Sequence, residues 1–462
     1  MVSVPQNPFS AGDGASSANS ANPAFTPQSI NNAAESTGIA AAALYAGSPA
    51  VPAAYPVGFS GFYCMKYEIS QQQYVDFLNS LSYDQQVNHT AIAPNTAAPT
   101  TSLNSYAMIT GGTVGSAPNP TRNGIRINAP GDATLVPKQP AVYMCDLNGN
   151  ATADMSAASQ DGLNIAANYL SWVDIAAYLD WAALRPMSEM EYEKISRGTN
   201  AAVAKEYAWG LGLNFLTTAN SGCGPAVFGY RDNGASNICI GGSVEYGNTY
   251  PSISMATTNN ITNSGLNSET TSLTGATALE TTPGGAVTTY LYVGKAVVGG
   301  TGPFRVGAMA GSAAATNTRI SSGAGFYGIL DLSGNVLERT ISTAAAGLTF
   351  RGDSLGNGNL DANGYHDVGF WPAYTTAAGT GFRGGSFATT TTENYSAVAG
   401  TVAVGVFYAT TGGNATQLQA TVRGTDMKGY VRLRVSDRND AYQGTGANAA
   451  TRVSDYGGRG VR

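Results

Sequence analysis

The chain has 462 residues, of which 43% are hydrophobic and only 11% charged, with a net charge of -6 and a pI near 5.0. That much apolar content excludes a disordered polyelectrolyte. Six lysines under a net negative charge exclude a general nucleic-acid binder, whose affinity rests on basic side chains neutralising phosphates.

From the N-terminus, no basic segment precedes an apolar one, so no signal peptide is visible, and no apolar run approaches the ~20 residues that span a bilayer. The chain is therefore expected to be a processed or excised form, or one released by lysis. Charge is replaced by Ala, Ser, Thr, Asn and 58 Gly, the neutral, turn-rich texture of extracellular and virion proteins. Phe62 to Tyr67 reads as a strand. Glu68 to Leu81 reads as a helix: Ser70 with Gln73 forms a capping-box pattern, and Tyr74, Phe77, Leu78 and Leu81 share one face.

Residues 84–140 read as an insertion. In the segment after it, Asp146, Asn148, Asn150, Thr152 and Asp154 place oxygen side chains at alternating positions with Gly149 for the bend. That spacing is similar to calcium-wrapping loops but lacks the bidentate Glu of an EF-hand, and it equally describes a simple Asx-rich turn. Tyr169 to Leu184 is the strongest helix pattern, capped by Ser171 with Asp174 in its first turn and stopped by Arg185-Pro186. Ser188 with Glu191 opens a third helix running to Arg197-Gly198.

Two long stretches are nearly uncharged: 247–294 has only Glu269 and Glu280, and 385–421 only Glu393. Both read as surface hairpins and loops of one domain. Cys64, Cys145, Cys223 and Cys239 lack metal-type spacing, and the only histidines are His89 and His366, which argues against structural zinc. Cys223 and Cys239 are spaced to close a short disulfide loop in an oxidising compartment, with two buried free thiols as the alternative.

Taken in order, several segments resemble the formylglycine-generating-enzyme, or sulfatase-modifying-factor, superfamily. They are Met65-Lys-Tyr-Glu-Ile-Ser-Gln71, Leu170-Ser-Trp-Val-Asp174, Leu184 to Lys194, Glu206-Tyr-Ala-Trp-Gly210, Phe326 to Glu338, Phe382 to Phe387, Arg432 to Arg438, and Gly457 to Arg462. The resemblance implies an α+β, C-type-lectin-like fold with a short twisted antiparallel sheet, two or three helices and long irregular insertions. It covers residues 1–462 as one domain, with insertions at about 84–140, 247–294 and 388–421. The local flavour is similar to secreted Bacteroidota-type proteins and to lectin-fold variable proteins of phage.

Enzymatic members of that family oxidise a substrate cysteine with a copper-binding cysteine pair, located between the Arg-Gly-Gly-Ser strand and the last strand. Here Gly384 to Arg462 contains no cysteine, and the thiolate is both the soft copper ligand and the redox partner. A second branch uses iron held by three histidines, more than this chain possesses. The resemblance therefore implies a non-catalytic member without copper, iron or zinc.

Calcium is the one candidate metal. The family commonly holds it at the motif matched by Asn335 and Glu338, and Asn220 falls near a second such position. The late arginines Arg383, Arg432, Arg434, Arg438, Arg452, Arg459 and Arg462 are expected to pair with buried carboxylates and backbone carbonyls, as in the family, rather than to form an anion patch. The expected role is an extracellular or virion surface module that self-associates, joins other structural proteins, or presents loops to a glycan or protein ligand. The alternatives are a calcium-dependent lectin and an oxidoreductase with an unrecognised site.

Overall fold

The computed structural model describes residues 1–13, 24–98, 106–109, 122–147, 149–156, 161–202, 206–208, 303–307, 319, 323–386, 434–438, 440–442 and 449–462, with the backbone of four strands between 228 and 271. The elements in order are β1 (Val2–Val4), β2 (Phe9–Ala11), β3 (Gln28–Ile30), α1 (Asn32–Thr37), β4 (Phe62–Cys64), α2 (Gln71–Ser80), α3 (Tyr83–His89), β5 (Ile125–Ala129), β6 (Val142–Cys145), α4 (Trp172–Trp181), β7 (Met187–Ser188) and α5 (Glu189–Arg197). The hairpins β8 (Phe228–Asp232) with β9 (Ser236–Ile240), and β10 (Ile261–Thr262) with β11 (Thr270–Thr271), follow. Then come β12 (Leu337–Ile341), β13 (Thr380–Arg383) and β14 (Tyr456–Gly457). The chain is thus α+β, with few helices and short sheets.

One local device starts the principal helices. At α2, α3, α4 and α5 a serine accepts from the backbone of the residue three positions on, whose side chain returns the bond. Ser70, Ser171 and Ser188 do so where the sequence places them; the Ser82–Gln85 box starts α3 across the beginning of the expected insertion. That insertion is only partly loop: Gln86 and His89 on α3 and Ile125 and Ile127 on β5 are buried, and β5 pairs with β6. Its apolar content is short and split between two elements, so neither gives a long periodic signal.

Every residue of α4 from Trp172 to Asp180 is buried. The reason is tertiary. The segment 356–372 wraps its outer side, with Trp172 donating to the Pro372 carbonyl and Asp180 accepting from the Asn357 and Asp367 amides. The C-terminal strand lies on its inner side. There Gly460 permits the approach, since a Cβ would come within 2.4 Å of Leu179 Cδ2.

The central sheet has the order β13-β12-β14, with β7 also on β12. β12 runs antiparallel to β13, opposing Glu338 to Arg383 and Arg339 to Phe382, and parallel to β14 and β7. Alternation along β12 puts Glu338 and Thr340 on one face and Leu337, Arg339 and Ile341 on the other. The last residues tie the chain together: Tyr63 and Arg462 exchange backbone bonds, Ile69 donates to Gly458, and Arg185 pairs with Val461.

Candidate functional site

Two of the expected calcium ligands lie close together, Asn335 in the turn before β12 and Glu338 within β12. Asp331 and Asn335 both adopt left-handed backbone (φ 62° and 59°), which Asp and Asn tolerate better than most residues. The Asn335 side-chain carbonyl accepts from the Phe304 amide at 2.8 Å, while its NH2 donates to Glu68 at 2.5 Å. Glu68 also accepts from the Val336 amide, and Asp331 accepts from the Gly307 amide at 2.6 Å. Glu338 receives Arg459 side-on, Nε to Oε2 at 2.7 Å and Nη2 to Oε1 at 2.6 Å. Arg459 spends its remaining hydrogens on the carbonyls of Leu330, Met65 and Lys66.

Three buried carboxylates thus share the neighbourhood of Arg459. Burial pushes the pKa of each upward, and at Glu68 the charges of Asp331 and Glu338 push further, against Arg459. At Arg459 burial acts downward, and Glu338 more than reverses it. Asn335 and Glu338 therefore direct their oxygens at protein donors, as in a closed structural turn. Among the described residues no group of three or more His, Cys, Asp or Glu is placed to hold a metal ion.

The Asp146 loop is closed in a similar way. Arg126 donates to Asp146 Oδ2 at 2.5 Å with both side chains buried, and the amides of Asn150 and Ala151 donate to the same carboxylate. The guanidinium thus stands where a calcium-wrapping loop would hold its cation. Asn150 accepts from the Thr152 amide, and Asp154 accepts from Ser156. These are Asx turns, and Asn150 and Asp154 lie exposed rather than converging on Asp146. Asn148 and Asn220 lie outside the described residues, as does the Cys223 half of the spaced cysteine pair.

Of the late arginines, Arg383, Arg438, Arg452 and Arg459 pair as the resemblance implies, whereas Arg434, buried with its Nε unmet, and the exposed Arg462 do not among the described residues. Arg383 donates to Glu193 at 2.6 Å, Arg438 grips Glu189 and Arg452 grips Asp174; Arg432 lies outside the described residues. Asp174 also accepts from Ser171 and lies 3.3 Å from His89 Nδ1, whose Nε2 faces the Gly364 carbonyl at 2.7 Å. A carbonyl only accepts, so Nε2 carries a proton. Burial pulls the Asp174 pKa up, but Arg452 and His89 more than reverse it, leaving the carboxyl below its ordinary range.

His366 is buried among Trp172, Trp371 and Tyr374, and burial lowers its pKa. The free thiols Cys64 and Cys145 are also buried, on β4 and β6. Burial pushes Cys64 up to about 12 and Cys145 well above the usual thiol value, so neither is a thiolate at neutral pH. Arg339, which no motif singled out, lies in the middle of β12 without a carboxylate.

These features define an α+β protein whose described ionisable groups are mostly engaged in buried pairs. Residues 22–247 match the family model described as the sulfatase-modifying factor enzyme 1-like domain, which supports placement in that superfamily. No curated protein matches the chain at a significant level. Elements after the match pack onto it: β12 pairs with β7, and Arg383 and Arg438 reach Glu193 and Glu189 on α5.

Proposed function

We propose that the chain is a single formylglycine-generating-enzyme-like domain, C-type-lectin-like in fold, that lacks the family's copper chemistry and serves as an extracellular or virion surface module for assembly or recognition. The observation that carries this reading is the cysteine-free stretch from Gly384 to Arg462, where the resemblance places the copper pair. The two described thiols are poor substitutes. They sit on different elements, buried and protonated, whereas soft-metal chemistry needs accessible thiolates.

Oxygen uptake by the copper(I)-treated protein with a cysteine-containing peptide tests the chemistry. No uptake above the buffer rate is expected, and turnover accompanied by an aldehyde in the peptide would overturn the reading. Electron microscopy and sedimentation of native material test the role, with ordered assemblies expected for a structural module. A monodisperse monomer would count against assembly and leave recognition.

A further inference from the structure

Arg339 is 2% exposed, and its guanidinium carbon lies 3.9 Å from the ring centroid of Phe382 and 5.5 Å from that of Tyr456. Nη1 donates to Thr380 Oγ1 at 3.1 Å. Nε and Nη2 meet no acceptor. Burial lowers its pKa to about 9, so the group remains a cation at neutral pH, and no carboxylate bears on it. An unpaired buried charge with two unmet donors is among the costliest features a fold can retain.

The unmet donors are a matched pair. Arg459, Arg438 and Arg452 each use Nε and Nη2 side by side on one carboxylate, at 2.7 and 2.6 Å for Glu338, 2.7 and 2.8 Å for Glu189, and 2.8 and 2.7 Å for Asp174. This edge presents two parallel N–H bonds to a planar pair of oxygens. At Arg339 the same edge is unpaired, and the guanidinium lies over the Phe382 ring in a cation–π contact. Tyr456 is half-buried, whereas the two unmet donors of Arg339 are themselves buried.

We propose that Arg339 is a binding site for a carboxylate group of a ligand, held side-on by Nε–H and Nη2–H with Phe382 and Tyr456 behind the guanidinium. The carboxylate belongs either to a small organic acid or to a peptide C-terminus. The site is independent of whether the chain has any catalytic activity.

The test is thermal melting of the full chain, titrated with sodium acetate against sodium chloride at equal ionic strength, and with a tripeptide acid against its amide. A saturating rise of roughly 1–3 °C is expected with acetate, with the peptide acid, or with both, and none with chloride or the amide. A response to acetate identifies a small acid, and a response to the peptide acid alone identifies a C-terminus. Arg339→Met removes the response. Arg339→Lys, which keeps the charge without the fork, weakens apparent affinity at least about tenfold and serves if the Met variant does not fold. No response to any carboxylate probe, or an equal response in the variants, overturns the proposal.

Discussion

The two faces of β12 answer the same electrostatic problem in opposite ways. On one face Glu338 meets Arg459 through two short bonds, with the buried carboxyls of Glu68 and Asp331 nearby. One residue on, Arg339 is buried against Phe382 with no carboxylate at all. The backbone geometry is the same, so strand structure does not explain the difference. It lies in what packs on each face: the first receives the Arg459 guanidinium from the C-terminal segment, the second aromatic rings. Burial of charge is tolerated where a partner is built in, and where none is, the residue implies a role beyond stability.

The comparison breaks most visibly at Arg459. Arg459→Met strands Glu338 beside Glu68 and Asp331, and should cost about 3–5 kcal/mol in urea unfolding. Combining it with Glu338→Gln should recover part of that loss, and simple additivity of the two would refute the pairing.

Asp174→Asn comes next, at about 2–3 kcal/mol near pH 7, because it removes the partner of Arg452 and half of the α4 capping box. The sign of its pH dependence follows from a folded-state pKa below the unfolded one. Its contribution is present above the ordinary carboxylate range, near pH 4, and is lost as pH falls through that range toward the folded value. Acid unfolding curves should therefore be shallower in the variant; unchanged steepness below pH 4 would locate the linkage elsewhere.

The smallest effect, with the opposite sign, is expected at Arg339. In carboxylate-free buffer Arg339→Met should leave stability unchanged or raise it by up to about 2 kcal/mol, since it removes an unpaired buried charge and keeps the stem volume. A loss comparable to that of Arg459→Met would erase the contrast between the two faces.

α5 shows where legibility ends. Its start at Ser188–Glu191 and its stop at Gly198 are evident in the sequence, but what its charged side chains meet is not. Glu189, Glu191 and Glu193 are all buried, on Arg438, Arg185 and Arg383 respectively, and Arg197 is buried against Glu193 and Glu206. Nothing local announces the burial of Glu189 and Glu193, because Arg438 and Arg383 arrive from distant parts of the chain. The candidate site fared similarly. Asn335 and Glu338 were legible as part of a family motif, but their donors, Phe304 and Arg459, were not.

The sequence by itself determined the starts of α2, α4 and α5 and the absence of cysteine after Gly384, while the α+β class and the motif before β12 were implied by the family resemblance. The helix starts rest on interactions between residues three positions apart, whose energies are set before the chain folds. Only the tertiary structure decided which charges are neutralised, that α4 and α5 are enclosed on all sides, and that Arg339 stands alone. Those outcomes depend on which face of a strand meets which distant side chain, a choice fixed by packing and register.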